Sequence, residues 1–523
     1  MPSYLHPGVY VEEIPSGSKP IEGVSTSVTA FIGGANRGPV GEPVLIGKLD
    51  DYISQFGAIG GAGDNMGMAV LAFYLNGGKA AYICRLASGT PVSASVGLDG
   101  TQLDTTVVSP LITVTASSPG AWANNYFVRI DNADGTARTF DLLVGTQDAA
   151  GKFTATETLT GLSMNPASED YVERRVADES SIVRVTVAAA APADATPTDT
   201  AVDGDGDGND DGVQLNGTTT GAVTAPVSGD YQSFYDGTLR KFRDVSIIVL
   251  PDEQWADDGS GNPAVSATQA FCETYKRSVL LIDLPSDLEV KAAADVTPLL
   301  LPTSTYTTLY YPWVEMANPV YNEDTNPTAP RTVNVPPSAV AAGMWAKIDG
   351  KRGVWKAPAG VEAQVNGISG LLAAVEDLEQ DQLNPLGINC IRKLPGYGSV
   401  IWGSRTLATR ADPEWRYVPV RRTAIFIEQS IYNGIQWAVF EGNDHPLWGS
   451  LRANIGSFMN GLFRSGAFQG ATAKDAYFVR CGLGDTMTQG DIDRGQVIVI
   501  VGFAPLKPAE FVIVRIQQKV GQQ

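Results

Sequence analysis

Apolar residues change their spacing several times along this chain, and each change marks a different kind of structure. Residues 8–15 hold Val9, Tyr10, Val11 and Ile14 beside Glu12 and Glu13 in a short extended run, and a stretch containing Ser, Gly and Pro follows to about residue 25. That pattern predicts a strand carried on an arm. A run over 29–34 opens the first globular piece, with a helix expected over 66–76 and a strand over 80–85. Between 87 and 229 the texture becomes Thr, Val, Ala, Asp and Gly, with alternating runs at 126–130 and 139–144 and almost no helical period. A β-rich inserted domain is expected there. From Tyr231 onward, near-continuous apolar runs at 245–250, 279–283 and 307–313 are separated by a helical stretch over 264–277. Strands of that kind belong in a parallel sheet covered on both faces. Further helices are expected over 337–348 and 369–382.

The last hundred residues carry a different signal. Over 446–464 the apolar positions Leu447, Leu451, Ile455, Phe458, Met459 and Leu462 recur at three- and four-residue spacing, so one stripe of a helix faces a core, while Arg452 and Arg464 fall off it. Solvated arginines are the plainer account of that pair, and contact with a partner is the other. Two apolar runs follow, at 497–503 and 511–516, the second holding Phe511, Val512, Ile513, Val514 and Ile516. No nucleophile, metal cluster or phosphate loop stands beside them. An extended apolar segment near a chain end leaves its backbone donors and acceptors to pair with the open sheet edge of another copy.

These breaks divide the chain into an arm (1–25), a first part of an α/β core (26–86), an acidic β-rich insertion (87–229), a second part of the core (230–395) and a C-terminal domain (396–523). At 523 residues several domains are expected, and no apolar run is long enough to span a bilayer. The first eight residues have neither a basic start nor an apolar stretch, so no signal peptide and cytoplasmic synthesis are expected. The four cysteines lie far apart without CxxC spacing, which favours reduced, buried thiols.

Net charge is −20, and 87–229 alone carries −13, from 6 basic and 19 acidic residues, whereas 420–523 is slightly positive, 10 against 8. Such a balance argues against a nucleic-acid groove; it suggests an acidic solvated part joined to one that could face an acidic partner.

Candidate chemistry is sparse. The two histidines, His6 and His445, neither follow nor precede a nucleophile elbow, so a serine-protease triad is not expected. The glycine-containing segments 33–38 and 60–63 do not match a phosphate loop and read as turns. Asp203, Asp205, Asp207 and Asn209 alternate with glycine in the manner of the start of a calcium loop, but the twelfth position is Gln214 and flanking helices are absent from the pattern. A solvated acidic linker is the simpler account; a calcium staple in the insertion is the candidate alternative, and otherwise no cofactor is expected.

One resemblance covers residues 1–86 and 230–523 in order. The stretches 336–349 and 352–360, then Asp381-Gln382-Leu383-Asn384-Pro385-Leu386, Trp402-Gly403-Ser404-Arg405, Asp412-Pro413-Glu414-Trp415-Arg416 with Arg421 and Arg422, Phe440-Glu441-Gly442-Asn443-Asp444 and Lys507-Pro508-Ala509-Glu510 resemble contractile tail sheath proteins of phages, tailocins and extracellular injection systems. His6-Pro7-Gly8-Val9-Tyr10-Val11-Glu12-Glu13 resembles that family's N-terminal arm. The resemblance implies a multidomain α/β protein: a subtilisin-like parallel-sheet core, an outward-facing insertion, and an α+β C-terminal domain completed by strands exchanged between copies. It assigns the exchange to Val9, Tyr10, Val11, Glu12 and Ile14 and to Phe511, Val512, Ile513, Val514 and Ile516. It also implies stacked six-membered rings that contract around an inner tail tube protein, with Arg452 and Arg464 as candidate tube contacts. The implied partners are further copies of the chain, the tube, baseplate and terminator or cap proteins, without nucleic acid or membrane insertion, in a virion tail or injection particle. Two alternatives stand beside this structural, non-enzymatic reading: a hydrolase on the α/β core, and a surface-binding or adhesin role of the insertion.

Overall fold

The computed structural model describes residues 20–98, 110–148, 151–193, 195–200, 212–408 and 411–511. The chain forms two compact units. The larger contains 26–352 and 357–421; the smaller gathers the N-terminal segment up to Ser25, residues 353–356 and everything from Arg422 onward.

An eight-stranded sheet organises the larger unit. Its six inner strands run parallel in the order Ala81–Arg85, Thr29–Gly33, Ile247–Val249, Val279–Ile282, Thr307–Tyr311 and Ile388–Leu394; Pro43–Ile46 and Gly398–Ile401 close the edges antiparallel. Four of the inner strands are buried at every residue, which explains why their sequences are apolar without alternation. Helices Asn65–Leu75 and Pro337–Arg352 pack against each other and on this sheet. They come close because Gly343 has no side chain: a Cβ there would lie 2.4 Å from the Phe73 carbonyl oxygen. A second pair, Ser228–Gly237 and Pro263–Tyr275, packs through Tyr235, whose hydroxyl lies 2.5 Å from that of Thr268. The arginine of the 412–421 motif, Arg421, is held between Trp415 and Tyr306 and donates to Thr305.

The insertion has its own core. Strands Val183–Val187, Ile112–Ala116 and Ser95–Leu98 form one antiparallel sheet, and Val213–Gln214, Tyr126–Asp134, Thr139–Gln147 and Phe153–Leu162 form another. Val114, Val128, Ile130, Phe140, Leu142, Val144 and Val183 from both sheets share one buried cluster. Where the chain enters and leaves, Ser88–Val92 pairs with Ala222–Thr224.

Several expectations are corrected. The helix expected over 369–382 begins as a strand, Ile368–Leu371, which pairs with Val314–Ala317; the helix is confined to Asp377–Leu383, where Glu379 caps the Glu376 backbone. Local apolar content there is compatible with either structure, and tertiary pairing decides. The insertion holds a helix, Val172–Glu179, that its sequence texture did not announce. The hairpin of Ile388–Leu394 with Gly398–Ile401 spans residues 395 and 396 within the larger unit.

Candidate assembly surface

Among the described residues, the smaller unit combines a long helix with very little sheet. Helix His445–Arg464 begins with Asp444 accepting from the Leu447 amide and Pro446 in its first turn, the pairing that suits a helix start. Leu447, Trp448, Leu451, Ile455, Met459 and Leu462 are buried; Phe458 is half-buried, its ring 6.0 Å from that of Phe426. The first described residues belong to the same core, with Ile21 buried among Ile427, Ile455 and Met459, and the Val24 amide donating to Ser430 Oγ at 3.1 Å.

The opposite face of this helix is its most distinctive feature. Ser450, Ala453, Ser457, Gly461 and Arg464 follow one another at helical spacing and are all exposed, and nothing lies within 4 Å of a Cβ built on Gly461. Small side chains leave a shallow groove into which another element can approach closely. Arg464 closes that stripe and the helix holds no carboxylate, so that end of the face is positive. Arg464 is exposed in the last turn, where a cation is favoured by the helix dipole. Arg452 is exposed too, but its Nη1 donates to the Cys481 carbonyl, which ties it to the loop after a strand. The sequence reading marked the two arginines and missed the small residues between them, although their three- and four-residue spacing is legible once the helix is known.

The sheet consists of Tyr477–Arg480 and Ile500–Phe503, paired antiparallel, with Ala504 continuing the contact to Ala476 and Gln469. One of the two apolar runs near the C-terminus is therefore paired within its own chain. Val479, Val501 and Phe503 pack towards the core, where Phe468 lies 5.6 Å from Phe503. On the other face Phe478 and Ile500 are about half exposed, and the Phe478 ring covers Gly502, where a Cβ would come within 2.3 Å of it. Two strands alone make a marginal sheet, and three or more are normally needed. Among the described residues, 500–503 make no backbone hydrogen bond beyond this ladder.

Three further apolar side chains stand in water. Phe440 is fully exposed and has φ +68°, a left-handed conformation that a bulky residue adopts at a cost, and Val439 beside it is 59% exposed. Phe511 is 74% exposed. Val9, Tyr10, Val11, Glu12, Ile14, Val512, Ile513, Val514 and Ile516 lie outside the described residues, as do Asp203, Asp205, Asp207 and Asn209. Among the described residues no group of His, Cys, Asp and Glu is arranged to hold a metal ion, and no helix is long and apolar enough to cross a membrane. The four cysteines are buried and unpaired.

Two family models match consecutive parts of the chain: the phage tail sheath protein central domain at 227–407 and the phage tail sheath C-terminal domain at 410–519. The tail sheath protein of Burkholderia phage BcepMu is 27% identical over 492 residues, 90% of this chain and 89% of that one. A putative prophage major tail sheath protein of Pseudomonas aeruginosa is 26% identical over 303 residues, 57% of this chain and 71% of that one. Among solved structures, the sheath complex of an extracellular contractile injection system, PVC, in its contracted state shares the fold with a TM-score of 0.58 at 23% identity, covering 99% of both chains. The chain belongs to the phage tail sheath family, whose members are structural proteins and not enzymes. Its function is that of a subunit of a contractile tail sheath, which sets aside the hydrolase alternative.

Proposed function

We propose that this chain polymerises by lending its two ends to neighbouring copies, and that the resulting mesh of stacked six-membered rings contracts around an inner tube. The observation that carries this reading is the unfinished sheet of the smaller unit, where strand Ile500–Phe503 has an edge that the described residues leave unpaired. Residues 9–14 and 511–516 are the runs suited by sequence to complete it: both are mostly apolar, and six residues in extended form at roughly 3.3 Å each would reach about 20 Å. Both arms issue from the unit that holds the incomplete sheet. That arrangement lets subunits slide and rotate while remaining tethered.

The small-residue face of helix His445–Arg464 is the proposed seat of the tube, with Arg464 as the charged contact and Arg452 supporting the loop beside it. Baseplate and terminator proteins would cap the two ends of the polymer. Contraction needs only a few kcal/mol per subunit, because a bistable interface repeated along the tail sums the effect.

Electron microscopy of the purified chain tests the central claim. Striated hollow cylinders are expected from the full chain, and folded, non-polymeric protein after removal of residues 1–19. Cylinders of normal length formed by the truncated protein would overturn it.

A further inference from the structure

At the carboxyl ends of strands Thr29–Gly33, Ala81–Arg85 and Ile247–Val249 the larger unit contains a cleft of about 740 Å³. Thr29–Gly33 lies between the other two, so the connections on its two sides lead in opposite directions across the sheet. This is the topological position at which open α/β sheets bind small ligands. The core supplies Gly34, Asp64, Asn65, Asp252 and Glu253 to its walls, and the insertion supplies Trp122.

Two walls carry unlike charges that do not meet. Arg85 is 1% exposed; its Nη atoms donate to the Gly38 and Asn36 carbonyls at 2.6 and 3.3 Å, and its Nε is buried with no hydrogen-bond partner among the described residues. Among the described residues it forms no ion pair, so a guanidinium withdrawn from water lacks negative charge there. Facing the same space, Asp252 accepts from the Gly34 amide at 2.8 Å and from Asn65 Nδ2 at 3.0 Å, with no cationic partner among the described residues. Burial raises its pKa, and the neighbouring carboxylates Glu253 and Asp64 add to the rise, so this side lacks positive charge.

We propose that this cleft binds a small zwitterion of the α-amino-acid or short-peptide class, its carboxylate towards Arg85 and its ammonium towards Asp252 and Glu253. A purely anionic or purely cationic ligand would satisfy one wall and leave the other uncompensated. The volume exceeds that of a single small amino acid and leaves room for a side chain or a second residue beside Trp122. Because that wall belongs to the insertion, ligand binding would also tie insertion to core.

Calorimetric titration of the purified, unassembled full chain with glycylglycine, and separately with acetate and ethylammonium, tests the assignment independently of sheath assembly. Saturable heat is expected for the dipeptide, with both single-charge compounds at least about tenfold weaker. Asp252→Asn should weaken dipeptide binding by about tenfold. Absence of saturable heat up to about 10 mM, or binding of ethylammonium or acetate as tight as that of the dipeptide, would exclude a zwitterion site. Those comparisons use the natural chain, so the conclusion stands even if the variant fails to fold; a folded variant with unchanged affinity would also overturn it.

Discussion

Asp283 follows strand Val279–Ile282 and is fully buried; it accepts from the Ser338 amide at 2.9 Å and from Ser338 Oγ at 2.5 Å, at the start of helix Pro337–Arg352. Burial outweighs those hydrogen bonds and pushes its pKa up to about 7. The folded protein therefore holds this proton more tightly than the unfolded chain does. The stability it contributes is complete below the ordinary carboxylate range and is lost as pH rises through 7, by an amount on the order of a few kcal/mol. Thermal unfolding of Asp283→Asn should accordingly lose the part of the decline between about pH 4 and pH 7 that the natural chain shows. Identical profiles for the two proteins would place that carboxyl's proton elsewhere. Phe440 raises a different issue, since a fully exposed aromatic in a left-handed conformation gives the isolated subunit nothing in return for its strain. Phe440→Gly is expected to stabilise the isolated subunit by about 1 kcal/mol, because glycine adopts this conformation without strain, while reducing polymer yield, because the exposed ring it removes is no longer there for a neighbouring copy. Measuring the melting temperature and the sedimentable fraction together separates the two effects.

Among the elements, helix His445–Arg464 bears the clearest division of labour: one face buried in its own unit, the other lined by Ser450, Ala453, Ser457 and Gly461. A large side chain on the second face meets only water in the isolated subunit, as the open space at Gly461 shows. Gly461→Trp should thus leave the melting temperature nearly unchanged and abolish co-assembly with tube protein in a pull-down. Co-assembly at the natural level would show that this face lies away from the tube. The two strands Tyr477–Arg480 and Ile500–Phe503 show a different division, with Phe478 and Ile500 about half exposed on their outer face.

For the whole molecule, the insertion enters and leaves through paired strands, with Val92 opposite Ala222 in the ladder. Its core is self-contained, so replacing residues 93–221 by a short glycine-containing turn should preserve the core's cooperative unfolding and cylinder formation. Loss of cylinders would make the insertion part of the lattice, and loss of surface binding with normal cylinders would favour an adhesive role for it. The parallel core could be read from the residues alone, because strands such as Val279–Ile282 are apolar on both faces and admit few other placements. The helical stripe of Leu447, Leu451, Ile455, Met459 and Leu462 was equally legible, since its period is a direct consequence of helix geometry. Other features became visible only once distant segments met. Residues 368–371 are a strand because Val314–Ala317 lies beside them. Arg85 and Asp252 face one cleft although 167 positions separate them in the chain. Sequence determines which residues seek burial and with what period; the tertiary fold decides which unlike groups are left facing one another without compensation, since that depends on contacts between segments that carry no local sign of each other.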